Sequence, residues 1–327
     1  MVDPPILFSI PELFLYPDLP TVIFRFHFLN RNLQLSLSTL SQKYLLLAHS
    51  SYWYSSRTSQ LSVFQVPELK NHLSYIGTRL KVDELSNKVA NYFASCGYSK
   101  GDEIALLLDN CPEYVCIWLG LAKIGVVTAL INTNLKRDSL GHSINCIDVK
   151  AIIFGRNFSE TVKDAKPFFN NKDSMEFFCF SEKRASSDEV ISFSAKSLST
   201  LLEEASRSRI DLQKHKISFN DKMIYIYTSG TTGLPKAAII RHKRFLWLGV
   251  GSRFILQLTD SEVVYNPLPM YHTTGGLIFV SMILIFGGSM IIRKKFSASN
   301  YWKEAAKHKA TVKEFNFLEK KSLHYFQ

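Results

Sequence analysis

Beyond residue 80 the apolar positions follow two alternating periods. Val82, Leu85, Val89 and Phe93 recur at helical spacing and form one face, which Gly97 ends. A turn at Lys100-Gly101-Asp102 leads into the unbroken apolar run 104–108, which predicts a buried strand. Pro112 suits the first turn of a helix reaching Ile124, and Gly125 suits its exit. A second strand over 126–131, a helix around Leu140, and strands over 151–154 and 177–180 follow. A polar Ser/Lys/Glu stretch over 181–220 predicts an irregular connection. The strand 223–227 and a further strand at Ala237-Ala238-Ile239-Ile240 then bracket a loop. Helices alternating with strands that are apolar on both faces predict an α/β fold built on a doubly wound parallel sheet. Residues 1–80, rich in Phe, Pro and then Ser/Tyr, carry no sustained period and stay unassigned.

One apolar stretch, 275–292, is uncharged and long enough to raise the question of a membrane span. Gly287-Gly288 divides it and Arg293-Lys294-Lys295 closes it, so the pattern predicts a buried helix, a turn and a short strand. The N-terminus has no clean signal peptide, because Pro4, Pro5, Glu12 and Asp18 interrupt its apolar residues.

Composition changes the picture in two places. With 46% hydrophobic and 20% charged residues, the 327-residue chain can bury a sizeable core, and general disorder is excluded. The net charge of +11 is weighted late: nine Lys/Arg face three Glu over 293–327. That excess suits phosphates, CoA-like ligands or an anionic membrane surface, and equally a plain solvated face. Cys96, Cys111, Cys116, Cys146 and Cys179 form no CxxC pair and have no His at metal-ligand spacing, which predicts free thiols in a reducing compartment and no metal-thiolate site.

The chemistry concentrates in Tyr225-Ile226-Tyr227-Thr228-Ser229-Gly230-Thr231-Thr232-Gly233-Leu234-Pro235-Lys236. Four hydroxyls and backbone N–H groups can surround an anion, Gly230 and Gly233 allow close approach and positive φ, and Lys236 adds a full charge. An ordinary hairpin turn is the bland alternative. A Walker A loop is excluded: it needs GxxxxGK[ST] opening a helix, whereas here Lys236 lies three residues beyond Gly233 and a strand follows.

This segment resembles the signature of the adenylate-forming superfamily, which includes acyl-CoA synthetases, luciferases and peptide-synthetase adenylation domains. The resemblance implies that the loop holds the β- and γ-phosphates of ATP while a carboxylate attacks the α-phosphate, giving acyl-AMP and pyrophosphate. A thiol then displaces AMP. VVYNPLPMYHTTGG (263–276) is similar to a second superfamily feature, which implies His272 as the catalytic residue near the acyl-adenylate pocket, walled by Tyr271; a satisfied turn histidine is the alternative. RKKFSASNYWKEAAKHKATV (293–312) looks like a stretch specific to the fatty acid transport proteins, or very long-chain acyl-CoA synthetases, and 101–140 resembles that family's N-terminal domain.

The likeness covers 81–312 as a partial AMP-binding domain, with 313–327 as a divergent tail. It implies ATP with Mg²⁺, CoA as co-substrate, and a long-chain or very long-chain fatty acid. It also implies a cytosolic-facing domain at the endoplasmic reticulum, peroxisomal or plasma membrane, and no nucleic-acid partner. After Val312 the expected aromatic and Gly-Glu segment is replaced by Lys313-Glu314-Phe315-Asn316-Phe317. The family's Mg²⁺/adenine motif, ribose-binding aspartate, hinge and C-terminal lysine domain are then expected to be missing, leaving the fold incomplete. Two functional readings stand at this point: a long-chain fatty acid–CoA ligase linked to fatty acid uptake, and a catalytically dead product serving as a lipid- or membrane-associated binding module.

Overall fold

The computed structural model describes residues 64–67, 73–76, 79–181, 194–229, 235–256, 258–259 and 261–313. The chain divides into two compact units, Met1–Arg57 and Thr58–Gln327, and all described residues belong to the second. Most of the unassigned N-terminal segment, the divergent tail beyond 313 and the loop 230–234 lie outside the described residues.

The described residues form two sheets. Short strands β1 (Phe64–Pro67) and β2 (Leu73–Ile76) precede helix α1 (Arg79–Ser95), then β3 (Glu103–Leu107), α2 (Pro112–Lys123), β4 (Val127–Leu130), α3 (Arg137–Asn145) and β5 (Val149–Gly155). There follow α4 (Ser159–Ala165), β6 (Glu176–Phe180), β7 (Lys196–Ser197) and α5 (Leu198–Glu204). The chain continues through β8 (Lys222–Ser229), β9 (Pro235–Arg241), α6 (His242–Leu256), β10 (Val263–Asn266), α7 (Phe279–Phe286), β11 (Ser289–Ile292), α8 (Ala298–Lys307) and β12 (Val312–Lys313). The larger sheet has the order β7-β6-β5-β3-β4-β8-β9, parallel except for β9 at its edge. The smaller has the order β12-β10-β11-β1-β2, parallel except for β2.

The apolar runs become strands buried on both faces, as their sequence predicts. In β3 and β4 every residue is buried. Ala105, Leu107, Val127, Ala129 and Ile131 pack with Leu140 and Ile144 of α3 and with Val162 and Ala165 of α4. Gly125, in the left-handed region at φ 80°, turns the chain out of α2 and into β4. Lys123 lies largely buried between α1 and α2, where its three protons go to Asp83 Oδ1 at 2.7 Å, Ser86 Oγ at 2.8 Å and Asn87 Oδ1 at 2.7 Å. Full satisfaction matters there, since an unpaired buried ammonium would cost several kcal/mol.

Two expectations are revised. The stretch 181–220 is not wholly irregular: it contains β7 and α5, where Leu198 and Leu202 are buried and the Ser197 hydroxyl caps the helix by accepting from the Thr200 N–H. Part of the late positive charge is structural. Arg293 pairs with Glu304 at 3.0 Å and Lys294 with Asp109 at 3.5 Å, so two cations of the basic run hold the fold together.

The apolar stretch 275–292 resolves into the end of a π-helix (Thr273–Ile278), the eight-residue α7, and β11. Gly287 and Gly288, at φ 95° and 94°, make the break. Among the described residues no helix is long and apolar enough to cross a membrane.

Candidate active site

Strands β3, β4 and β8 are parallel neighbours, so their carboxyl ends open on one edge of the larger sheet. In open α/β sheets this edge is where ligands bind. Three segments leave it here: Asp109-Asn110 after β3, residues 132–134 after β4, and the Thr/Ser/Gly loop after β8.

The loop sits on a hairpin. Thr228 pairs with Lys236 and Ser229 with Pro235 in the antiparallel register of β8 and β9. Thr228 and Lys236 are both exposed. As directly opposed partners they share a face of the ribbon, so a hydroxyl and an ammonium stand side by side at its mouth.

Tyr225, Ile226 and Tyr227, next to them in the motif, are buried. The Tyr225 hydroxyl donates to Glu103 Oε1 on β3 and accepts from Lys222 Nζ at 2.8 Å. The Tyr227 hydroxyl donates to the Ser143 carbonyl of α3 at 2.6 Å. Burial raises the pKa of both phenols, so they stay protonated donors. On the other strand, His142 Nε2 lies 3.1 Å from the Pro235 carbonyl, with Cys146 Sγ 3.3 Å from the same nitrogen. Both arms of the hairpin are therefore fixed to the core.

The second predicted segment follows β10. Asn266, fully buried, donates through Nδ2 to the Gly275 carbonyl at 3.0 Å, while its Oδ1 accepts from the Leu268 N–H at 3.2 Å. That side chain shapes the turn carrying Pro269, Met270, Tyr271 and His272. Gly276 is required: a Cβ there would lie 1.8 Å from the Met270 carbonyl oxygen. Asn134 Nδ2 reaches the Tyr271 hydroxyl at 3.3 Å, joining the end of β4 to this turn. His272 is exposed at the start of the π-helix, its ring 4.6 Å from that of Tyr271, and desolvation lowers its pKa. A neutral imidazole at the sheet edge can accept or donate one hydrogen bond to a ligand.

Asn110 escapes sequence reasoning although it organises the site. Buried just beyond β3, it donates through Nδ2 to the Leu268 carbonyl at 2.7 Å and the Arg293 carbonyl at 3.0 Å, and accepts from the Met270 N–H at 2.8 Å. The available signal was a polar pair, Asp109-Asn110, closing an apolar strand before a helix-starting proline. The described contacts bring Tyr271 to the end of β4 and Pro235 to α3. Among the described residues no group of three or more His, Cys, Asp or Glu could hold a metal ion.

Comparison with known proteins gives the family and the fold. Residues 71–313 match the family model described as AMP-binding enzyme. Long-chain fatty acid transport protein 1 of Homo sapiens is 37% identical over 238 residues, covering 73% of this chain and 36% of that protein. The chain thus spans about a third of the length of that relative. Among solved structures, an acyl-CoA synthetase of Brucella canis superposes with a TM-score of 0.67 at 18% identity, covering 79% of this chain and 44% of that one. The N-terminal domain of FACL13 from Mycobacterium tuberculosis does so with a TM-score of 0.63 at 23% identity, covering 77% of this chain and 57% of that one.

Proposed function

Because the chain belongs to the AMP-binding enzyme family, we propose that its hairpin loop grips the phosphates of ATP during activation of a long-chain or very long-chain fatty acid. The observation that carries the proposal is the exposed Thr228–Lys236 pair at the mouth of a ribbon held to the core through Tyr225, Tyr227 and the Pro235 carbonyl. In this reading the acid's carboxylate attacks the α-phosphate, an acyl–phosphate bond forms, and the bond to pyrophosphate breaks. Thr228, Ser229, Thr231, Thr232 and Lys236, with the backbone of Gly230 and Gly233, hold the departing pyrophosphate as its negative charge grows. His272 and Tyr271 wall the acyl-adenylate side. Mg²⁺ would accompany ATP and screen the charge on its phosphates, and CoA would be the thiol that takes the acyl group. The likeness to a long-chain fatty acid transport protein supports the acyl substrate, and a membrane-facing cytosolic location is compatible with such a substrate.

Fatty-acid-dependent ATP–pyrophosphate exchange tests the reading. It should be measured on the 327-residue chain and on a chimera continued with the corresponding remainder of human long-chain fatty acid transport protein 1. Lys236→Ala is expected to lower exchange about a hundredfold or more, as loss of a preorganised charge-stabilising donor does. Exchange that is unchanged in Lys236→Ala, or absent from both chain and chimera, would remove the loop from the mechanism.

A further inference from the structure

We propose that the outer face of α8, with Lys295 and Phe296 just before it, docks this chain on an anionic lipid bilayer. The inner face of α8 is accounted for: Tyr301 and Ala305, one turn apart, pack with Tyr265, Ile291 and Ala310. A helix with one buried stripe ordinarily turns polar residues outward. Here Trp302 is 49% exposed and Phe296 is 39% exposed. The two rings are not scattered, since both rest on Tyr301, with centroids 5.1 Å and 6.3 Å away. Tyr301 in turn meets Tyr265 at 5.2 Å, so an aromatic column runs from the sheet to the surface.

The charges around the column have one sign. Lys295, Lys303, Lys307 and Lys309 are exposed, and none makes an ion pair among the described residues. Glu304 is the sole carboxylate within 293–313. It is occupied by Arg293 at 3.0 Å and by the Tyr265 hydroxyl at 2.6 Å. Amphipathic rings flanked by ammonium groups with no ion pair among the described residues complement the headgroup zone of an anionic membrane: the rings sit at the acyl boundary and the cations meet lipid phosphates. The same cations could meet a polynucleotide. Lipid is the occupant argued here because the activity proposed above draws on a substrate that partitions into bilayers, and for that choice alone this inference rests on that reading.

The test uses the full 327-residue chain and vesicles of phosphatidylcholine, alone or mixed with phosphatidylserine, with neither ATP nor fatty acid present. Its failure is therefore distinguishable from failure of the catalytic reading. Sedimentation with the mixed vesicles and release by high salt are expected. The double variant Lys295→Glu/Lys303→Glu should weaken vesicle affinity by about fivefold or more per cation. Brominated lipids should quench tryptophan emission, and Trp302→Phe should abolish that quenching while still sedimenting. Trp247, 43% exposed on α6 beside Lys243 and Arg244, provides the contrast. No sedimentation with mixed vesicles, unaltered affinity in the double variant, or quenching lost in Trp247→Phe but kept in Trp302→Phe would each overturn the proposal. So would a polynucleotide that is bound more tightly than the vesicles. If the double variant does not keep the wild-type near-ultraviolet spectrum, the assignment of quenching decides alone.

Discussion

A few side chains do far more than their neighbours, and burial explains which. Tyr225 donates a hydrogen bond to Glu103, a buried carboxylate at the amino end of β3. Tyr225→Phe leaves that acceptor short of a donor and should cost about 1–3 kcal/mol in chemical unfolding. An unchanged denaturation midpoint would mean Lys222 satisfies Glu103 by itself. His242 behaves differently: burial lowers its pKa to about 4, Lys100 adds to the effect, Asp221 opposes it, and Nε2 has no hydrogen-bond partner. The unfolded chain, with an ordinary imidazole near 6.5, therefore binds the proton first as pH falls. The stability contributed by neutral His242 is complete above about pH 6.5 and is lost progressively toward pH 4, by roughly 3 kcal/mol at most. His242→Gln should flatten that part of the stability–pH curve, and an equally steep curve in the variant would assign the slope to other groups. At the site itself, His272→Ala should raise the requirement for fatty acid while leaving ATP affinity intact. An effect confined to ATP would place His272 elsewhere in the mechanism.

Among elements, legibility in sequence followed locality. Residues 104–108 were readable as a strand because five consecutive apolar side chains buried on both faces leave few alternatives, and the observed strand is Glu103–Leu107. The helix entered at Pro112 and left at Gly125 was readable because both residues act through their own backbone. The strand after the loop was legible from Ala237-Ala238-Ile239-Ile240, whereas its antiparallel pairing with β8 was not assigned. By contrast α5 spans seven residues, too few for its Leu198–Leu202 spacing to stand out from a polar stretch. Strands β1 and β2 are four residues each, and what makes β1 part of a sheet is its pairing with β11, more than 200 residues away. Asn110 shows the same limit at the site, since its partners lie 158 to 183 positions along the chain. The π-helix yields a prediction at this scale. Gly276→Ala forces a methyl group onto the Met270 carbonyl with backbone on both sides, so it should destabilise the protein by about 3 kcal/mol or more. Near-native thermal stability in that variant would show that the turn can reopen.

For the whole molecule, polar contacts between the two sheets include, among the described residues, Asn110 to the Leu268 and Arg293 carbonyls, the Met270 N–H to Asn110, Asn134 to the Tyr271 hydroxyl, and Lys294 to Asp109. Asn110→Ala is expected to increase amide hydrogen exchange in β10 and β11 well above that in β3 to β5, because the smaller sheet loses its tie at the carboxyl edge. Equal changes in both sheets would mean that they open as one unit. Interrupted by two left-handed glycines, the stretch 275–292 should also fail to insert when fused to a reporter for membrane integration, and efficient insertion would contradict its reading as part of a globular core.

The smaller sheet has an interleaved order, with β1 and β2 from one end of the described chain placed beside β11 from the other. On the ribosome that order becomes a schedule. The strands of the larger sheet emerge consecutively and can assemble as they appear, whereas β1, which can pair with β2 at once, must wait until residue 290 has left the exit tunnel before its second partner, β11, exists. At ordinary elongation rates of about 5–20 residues per second, the wait is on the order of ten seconds or more. For that interval the β11-facing edge of β1 has its backbone groups uncovered, and the protein depends on whatever shields that edge during synthesis.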